Sequence, residues 1–267
     1  MFCQTFEEWE LILVDDGSTD GSAEIAARTN DPRVRLVRDG KNLGLAYRLN
    51  QIAAMASAGC LARMDADDVM HPDRIRTQVE ALERMPDISV LGSAAFVIDE
   101  ANQVIGLRGG GSPDFRPASV LRGCPLIHPT VIGRTGWFRC NPYDERYIRA
   151  EDHELWCRVC VSSQFGRLPM PLLFYRDTPA IRKTLRSYKT QRMIFRTYGP
   201  GRVGVARAAA EVSKSYAKSA VISGAALLRL SGAVWRRRNW PLSDEARLSA
   251  EQLLAAVLQT RVPCQGR

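Results

Sequence analysis

Glu10-Leu11-Ile12-Leu13-Val14-Asp15-Asp16-Gly17-Ser18-Thr19-Asp20-Gly21 is the stretch on which the reading of the fold turns. A short apolar run stops at two carboxylates and a glycine. Such a run fits a buried strand of a parallel sheet that ends at a loop. Ser18 or Thr19 is placed to cap a helix running to Arg28. Further along, Val34-Arg35-Leu36-Val37 reads as a second strand and Leu45 to Ala58 as a helix closed by Gly59. Leu61-Ala62-Arg63-Met64 is a third strand running into Asp65-Ala66-Asp67-Asp68. Pro72 suits the first turn of a helix ending at Arg84, and Ile88 to Ile98 is another strand. Strands alternating with helices predict an α/β fold with a mostly parallel sheet and flanking helices. Ligands in such sheets sit beyond the carboxyl ends of the strands, and two of these strands end in clustered Asp. The Gly-, Pro- and Arg-rich segment 106–125 reads as a loop or lid.

The chain has 267 residues, 45% hydrophobic and 25% charged. That suits one mid-sized domain, or one domain with an appendage, able to bury a core without disulfides or metals. It excludes a disordered chain, a collagen-like repeat and a disulfide scaffold. No run of about 20 uncharged apolar residues exists, which excludes an ordinary integral membrane protein. Met1-Phe2-Cys3-Gln4-Thr5 has neither the basic start nor the apolar core of a signal peptide, so a cytoplasmic location is expected. The seven cysteines are then read as reduced thiols. Cys157-x-x-Cys160 has no second such pair and lies in a helical pattern, against a zinc or redox site. The net charge of +8 is uneven: residues 182–267 hold 17 Lys/Arg against 4 Asp/Glu, whereas 1–181 hold 20 against 25. A basic face attracts phosphates, whether of nucleic acid, anionic lipid or a diphosphate substrate.

Three carboxylate stations carry the chemistry. Asp16, Ser18, Asp20 and Gly21 match the start of a calcium loop, but its twelfth position is Ala27 instead of the required Glu. The preferred reading is a strand-end Asp bonded to a nucleotide; a plain turn with a helix cap is the alternative. In Asp65-Ala66-Asp67-Asp68, alternate residues of an extended segment point the same way, so Asp65 and Asp67 share a face. Three carboxylates in four residues repel one another unless a cation sits among them. Mg²⁺ or Mn²⁺ fits, with open positions left for phosphate oxygens; a solvated acidic turn is the alternative. Glu151-Asp152, followed by His153-Glu154-Leu155-Trp156, is either a general base on a hydroxyl or an acidic first turn favoured by the helix dipole. The residues alone leave both open.

In this order the stations resemble glycosyltransferase family 2, whose members have the GT-A nucleotide-diphospho-sugar transferase fold. The likeness covers roughly residues 4–176. It rests on Phe6 to Ser22, on Asn42-Leu43-Gly44-Leu45-Ala46, on Asp65-Ala66-Asp67-Asp68 with Pro72-Asp73-Arg74, and on His128-Pro129-Thr130 with Glu151-Asp152-x-Glu154-Leu155-Trp156-x-Arg158. The resemblance implies that Asp15 and Asp16 contact the base and ribose. Gly44 and Arg48 would lie near the diphosphate. Asp67 would ligate the metal, with Asp65 on its ribose or metal side. Asp152 would deprotonate the acceptor hydroxyl with Glu151 beside it, and His128 and Trp156 would line the acceptor side. The reaction implied is an in-line, inverting attack on the anomeric carbon of a UDP-linked or similar donor. The acceptor would be a saccharide or lipid-linked saccharide of a surface polysaccharide or lipopolysaccharide. The Gln-x-x-Arg-Trp motif of processive synthases is absent, which favours single addition. The family pattern normally starts earlier, with a strand and helix that also touch the nucleotide. Met1 falls at the end of that helix, so a miscalled start or a truncation is expected, with the apolar edge of a neighbouring strand exposed. Asn141-Pro142-Tyr143 replaces the family's Gly-Gly-Tyr, and only a local loop change is expected.

The division expected is a catalytic domain over 1–181 and a basic, mainly helical region over 182–267. Arg182, Lys183, Arg186, Lys189, Arg192 and Arg196 recur at helical spacing. Ala220 to Trp235, between Lys214, Lys218 and Arg236-Arg237-Arg238, fits an interfacial helix on the anionic inner membrane face. The alternative is a helix pair covering the catalytic domain. No aromatic-interleaved basic patch speaks for nucleic acid. Competing functions are a nucleotidyltransferase of similar fold and an inactive remnant that only binds. A glycoside hydrolase would need no acidic triplet.

Overall fold

A computed structural model describes residues 1–177, 181–227 and 239–264. The apolar run forms β1 (Leu11–Asp15), which pairs in parallel with β2 (Val34–Arg38), Leu13 opposite Leu36. The intervening helix α1 (Ser22–Ala27) starts later than expected, after Gly21 at φ 81°. Asp20, not Ser18 or Thr19, accepts at its start, from the Ser22 N–H (3.1 Å) and hydroxyl (2.6 Å). The left-handed turns at Gly17 and Gly21 delay the helix beyond reach of the earlier hydroxyls. α2 (Leu45–Met55) follows Gly44, and β3 (Cys60–Ala62) runs into the acidic turn. β4 (Val69–Met70), α3 (Arg74–Arg84) and β5 (Ile88–Ile98) come next.

The segment 106–125 is only partly loop. β6 (Val104–Arg108) claims its start and α4 (Pro117–Arg122) its end. A 3-10 turn at His128–Thr130 leads to β7 (Ile132–Arg134) and α5 (Thr135–Cys140). Then come α6 (Glu151–Val159) and β8 (Gln164–Arg176). The larger sheet has the order β3-β7-β5-β8-β4, with β6 also on β5. The α/β class holds, but the expected mostly parallel sheet is mixed. Within the described residues the parallel pairings are β1–β2 and β5–β8, and β5–β6, β5–β7, β3–β7 and β4–β8 are antiparallel. The hairpin at Asp99–Gln103 makes β5–β6 antiparallel. β1 and β2 form a sheet of their own, and Leu11 to Val14 are only half-buried.

The main core gathers around Trp156, with Val90, Leu121, Leu155 and Phe165. α7 (Ile181–Val203) sends Ile194 and Phe195 into this same cluster. α8 (Val205–Leu227) folds back on α7 after Gly204, and α9 (Asp244–Leu258) packs Ala250 and Leu254 against Ile98, Val104 and Phe174. Each fully buried large side chain here contributes about 2 kcal/mol of transfer free energy, so these helices complete the α/β core. Of the expected interfacial helix, residues 228–235 and the flanking Arg236 to Arg238 lie outside the described residues, as do the side chains of Arg182 and Lys183.

Candidate active site

The first station is built around Asp16. Its carboxylate accepts from the Leu43 N–H (2.8 Å), the Gly44 N–H (3.0 Å) and Arg48 Nε (2.8 Å). Burial opposes ionisation, but these three hydrogen bonds outweigh it and hold the carboxyl below its usual value. Arg48 is 3% exposed. Besides Asp16, its guanidinium donates to both Asp39 oxygens, to Gln51 Oε1 and to the Lys41 carbonyl. Every N–H of Arg48 therefore has a protein acceptor. Arg48 thereby clamps Asp16 to the start of α2. Asp15 is buried and accepts from the Ser18 N–H (2.9 Å).

The second station is the turn Asp65-Ala66-Asp67-Asp68. Asp65, Asp67 and Asp68 each offer an oxygen within 4.8 Å of the others. Little in the protein satisfies them. Asp65 receives Arg63 Nη2 (2.5 Å), and Asp68 Oδ1 receives the Arg176 N–H (2.8 Å). Asp68 Oδ2 is buried and has no partner among the described residues. Burial, with Asp65 and Asp67 nearby, pushes the Asp68 carboxyl up to about 7, and burial also raises Asp65 against the pull of Arg63. An orphaned buried oxygen among carboxylates is the donor set a hard divalent cation fits.

The third station gathers His128, Glu151 and Asp152, again with one atom each within 4.8 Å. Ala150 at φ 56° turns the chain so that Glu151 and Asp152 open α6. Glu151 is buried, and burial followed by the charge of Asp152 pushes its carboxyl up to about 7. Asp152 is half-buried and accepts from Cys124 Sγ (3.6 Å). His128 Nδ1 lies 3.7 Å from Glu151 Oε1, and its Nε2 lies 2.9 Å from Tyr143 Oη. Burial, helped by Arg63, drives the imidazole well below its usual value, so it is neutral at pH 7.

Asp65 and Asp67 thus come together, as do His128, Glu151 and Asp152. The two groups are close enough that Asp152 raises Asp65 and Asp65 raises Glu151. Asp16, Gly44 and Arg48 form a separate hydrogen-bonded unit, and Asp15 bonds to Ser18 beside it. Trp156 needs correction: it is fully buried, stacked on Trp137 (6.3 Å) and edge-on to Phe165 (5.4 Å), and it lines no acceptor surface. It supports the His128 ring instead (6.3 Å). The sequence reading passed over Tyr143, Cys124 and Arg63. Only Arg63 had a signal, since it alternates with Asp65 and Asp67.

A family model described as Glycosyl transferase family 2 matches residues 2–145. Among curated relatives, the chain is 35% identical over 165 residues to "Putative glycosyltransferase EpsE" of Bacillus subtilis, covering 58% of this chain and 57% of that one. It is 27% identical over 159 residues to the amylovoran biosynthesis glycosyltransferase AmsE of Erwinia amylovora, covering 58% and 59%. The chain thus spans somewhat more than half the length of these relatives. Among solved structures, the mannosyltransferase PcManGT of Pyrobaculum calidifontis, in complex with GDP-Man and Mn²⁺, superposes with a TM-score of 0.57 at 15% identity, covering 96% of this chain and 78% of that one. TarS of S. aureus in complex with UDP gives 0.54 at 18% identity, covering 73% and 58%. At these identities the likeness shows a shared fold.

Proposed function

The chain belongs to glycosyltransferase family 2, and on that premise we propose that it moves a sugar from a nucleotide-diphospho-sugar, UDP-linked, onto a hydroxyl of a saccharide or lipid-linked saccharide. The reading is of a single, inverting addition that depends on Mg²⁺ or Mn²⁺, in the making of a surface polysaccharide or lipopolysaccharide. One observation carries it: an acidic turn with an orphaned buried oxygen lies within the electrostatic reach of a half-buried carboxylate. Asp65 and Asp67, with Asp68 beside them, would hold the metal. When bound, the ion supplies positive charge for a departing diphosphate.

The protein's own groups would do the rest. Asp152 takes the proton of the acceptor hydroxyl. The acceptor oxygen bonds to the anomeric carbon as the bond from that carbon to the diphosphate oxygen breaks, and the nucleoside diphosphate leaves with the electron pair. Attack from the opposite face inverts the anomeric centre. The division of labour between neighbouring carboxylates follows from burial. Glu151 is enclosed and keeps its proton up to about pH 7, whereas Asp152 is open to an incoming hydroxyl. His128, neutral and anchored to Tyr143, packs beneath the pair.

A membrane surface is proposed as a further partner. α7 and α8 expose Arg186, Lys189, Arg196, Arg207, Lys214 and Lys218, with Tyr216 and Val221, and carry Glu211 as their one acidic residue. No helix among the described residues is long and apolar enough to cross a membrane, so contact would be peripheral.

Calorimetric titration of the chain with UDP, with and without Mn²⁺, tests the donor side; metal-dependent binding is expected. Asp152→Asn is expected to lower transfer by roughly 1,000-fold while UDP binding stays within twofold. Equal loss of both would remove Asp152 as the base.

A further inference from the structure

Arg63 is 8% exposed, yet among the described residues its Nε and Nη1 have no hydrogen-bond partner. Its one side-chain partner is Asp65 Oδ1 at 2.5 Å. Arg74 leaves one nitrogen, Nη1, without a partner among the described residues, whereas Arg48 and Arg176 are better satisfied. Arg48 has acceptors for every N–H. Arg176 donates to the carbonyls of Asp67 and Asp99 and to Asn102. Leaving two donors of a buried guanidinium unpaired is costly, and an apolar side chain would serve packing better.

The position is also built. The Arg63 N–H donates to the Val131 carbonyl (2.9 Å), and the Arg63 carbonyl accepts from Arg74 Nη2 (2.8 Å). Arg74 is itself fully buried and braced on Gln78 (3.0 Å). The cation so fixed sits where both carboxylate groups feel it: it favours the charged forms of Asp68 and Glu151 and disfavours a charge on His128.

We infer that Arg63 is a positioning residue and internal counter-ion: it holds the Asp65 carboxylate and weakens the Asp65–Asp67–Asp68 cluster for a bare divalent cation, so that the ion enters together with a nucleoside diphosphate. This rests on the metal-dependent reading above. A free cation must compete with the guanidinium for Asp65, within a cluster whose charge is already partly cancelled. An ion that arrives with a diphosphate brings oxygen ligands of its own and depends less on Asp65.

The test is titration of the purified chain with Mn²⁺ alone, and with Mn²⁺ in the presence of UDP, for the parent, Arg63→Met and Arg63→Lys. Removing a unit charge this close to the cluster is expected to tighten bare Mn²⁺ about tenfold in Arg63→Met. The gain should be smaller when UDP is present. Arg63→Lys keeps the charge, and its affinity for bare Mn²⁺ should stay within twofold of the parent. A loss of packing alone would not raise metal affinity. Unchanged or weaker binding of bare Mn²⁺ by Arg63→Met overturns the inference. If that variant does not fold, a tenfold change in Arg63→Lys overturns it instead. A parent chain that takes up Mn²⁺ neither alone nor with UDP overturns the metal-dependent function itself, which is a different result from a parent that binds and variants that do not differ.

Discussion

Asp15-Asp16 and Asp65-Ala66-Asp67-Asp68 look alike in sequence, since each is an acidic cluster at the end of a short apolar run. In the folded chain they are opposites. Asp16 is surrounded by donors: two backbone N–H groups and a guanidinium itself locked by Asp39, Gln51 and Lys41. The second cluster has three carboxylates, few donors and a buried oxygen with none among the described residues. The first is held below its usual carboxyl range, whereas burial lifts Asp65 and Asp68 above it. The same residue type thus builds a frame in one place and stays unsatisfied in the other. An unsatisfied charged site is where a ligand's charge gains most.

Changes to the two clusters should therefore act on different observables. Asp67→Ala is expected to weaken UDP binding in Mn²⁺ by roughly 100-fold and to change little in EDTA. An unaltered Mn²⁺ dependence would take Asp67 out of the metal site. Arg48→Met removes the clamp from the satisfied cluster and should lower the melting temperature by about 5 °C. Asp68→Asn, at the frustrated one, should melt no lower than the parent at pH 8, because it removes a buried charge. If both variants destabilise equally in a thermal melt, the contrast between the clusters is lost.

The pH dependence sharpens the same contrast. The folded-state value of Asp16 is depressed below its ordinary 3.8. Its contribution is therefore complete above pH ~4 and is lost as pH falls through the depressed value. Melting followed from pH 6 to pH 3 should show a smaller acid loss in Arg48→Met than in the parent. Glu151 has the opposite sign, raised from 4.5 to about 7. Its contribution is complete below its ordinary value and is lost as pH rises through about 7. Glu151→Gln should flatten that decline between pH 5 and pH 8, an effect of about 1–2 °C. An identical slope in the two proteins would remove Glu151 as its source.

Much of the frame was legible. β5 was expected over Ile88 to Ile98 and lies there, because a long apolar run between Asp87 and Asp99 has no competing local structure. The three acidic stations were legible as clusters, since carboxylates that crowd in sequence crowd in space. What they do was less so. Trp156 follows Glu151-Asp152 in one helix and reads like part of an acceptor wall, yet the neighbouring Trp137 and Phe165 enclose it. Tyr143 read as a loop change and proved to be the partner of His128. The parallel character of the sheet was overestimated because strands of two or three residues carry no readable direction.

The sequence by itself determined roughly where the longer strands and helices lie, and which short segments concentrate charge, because apolar spacing, glycine turns and acidic runs act over a few neighbouring residues. The tertiary structure alone decided which of those charges the protein answers. Asp16 is met by N–H groups 27 and 28 residues away, and Asp68 by one 108 residues away. Whether such a donor arrives depends on how distant segments pack. That packing leaves Asp68 Oδ2 and two nitrogens of Arg63 without partners among the described residues, at the place where the function is proposed.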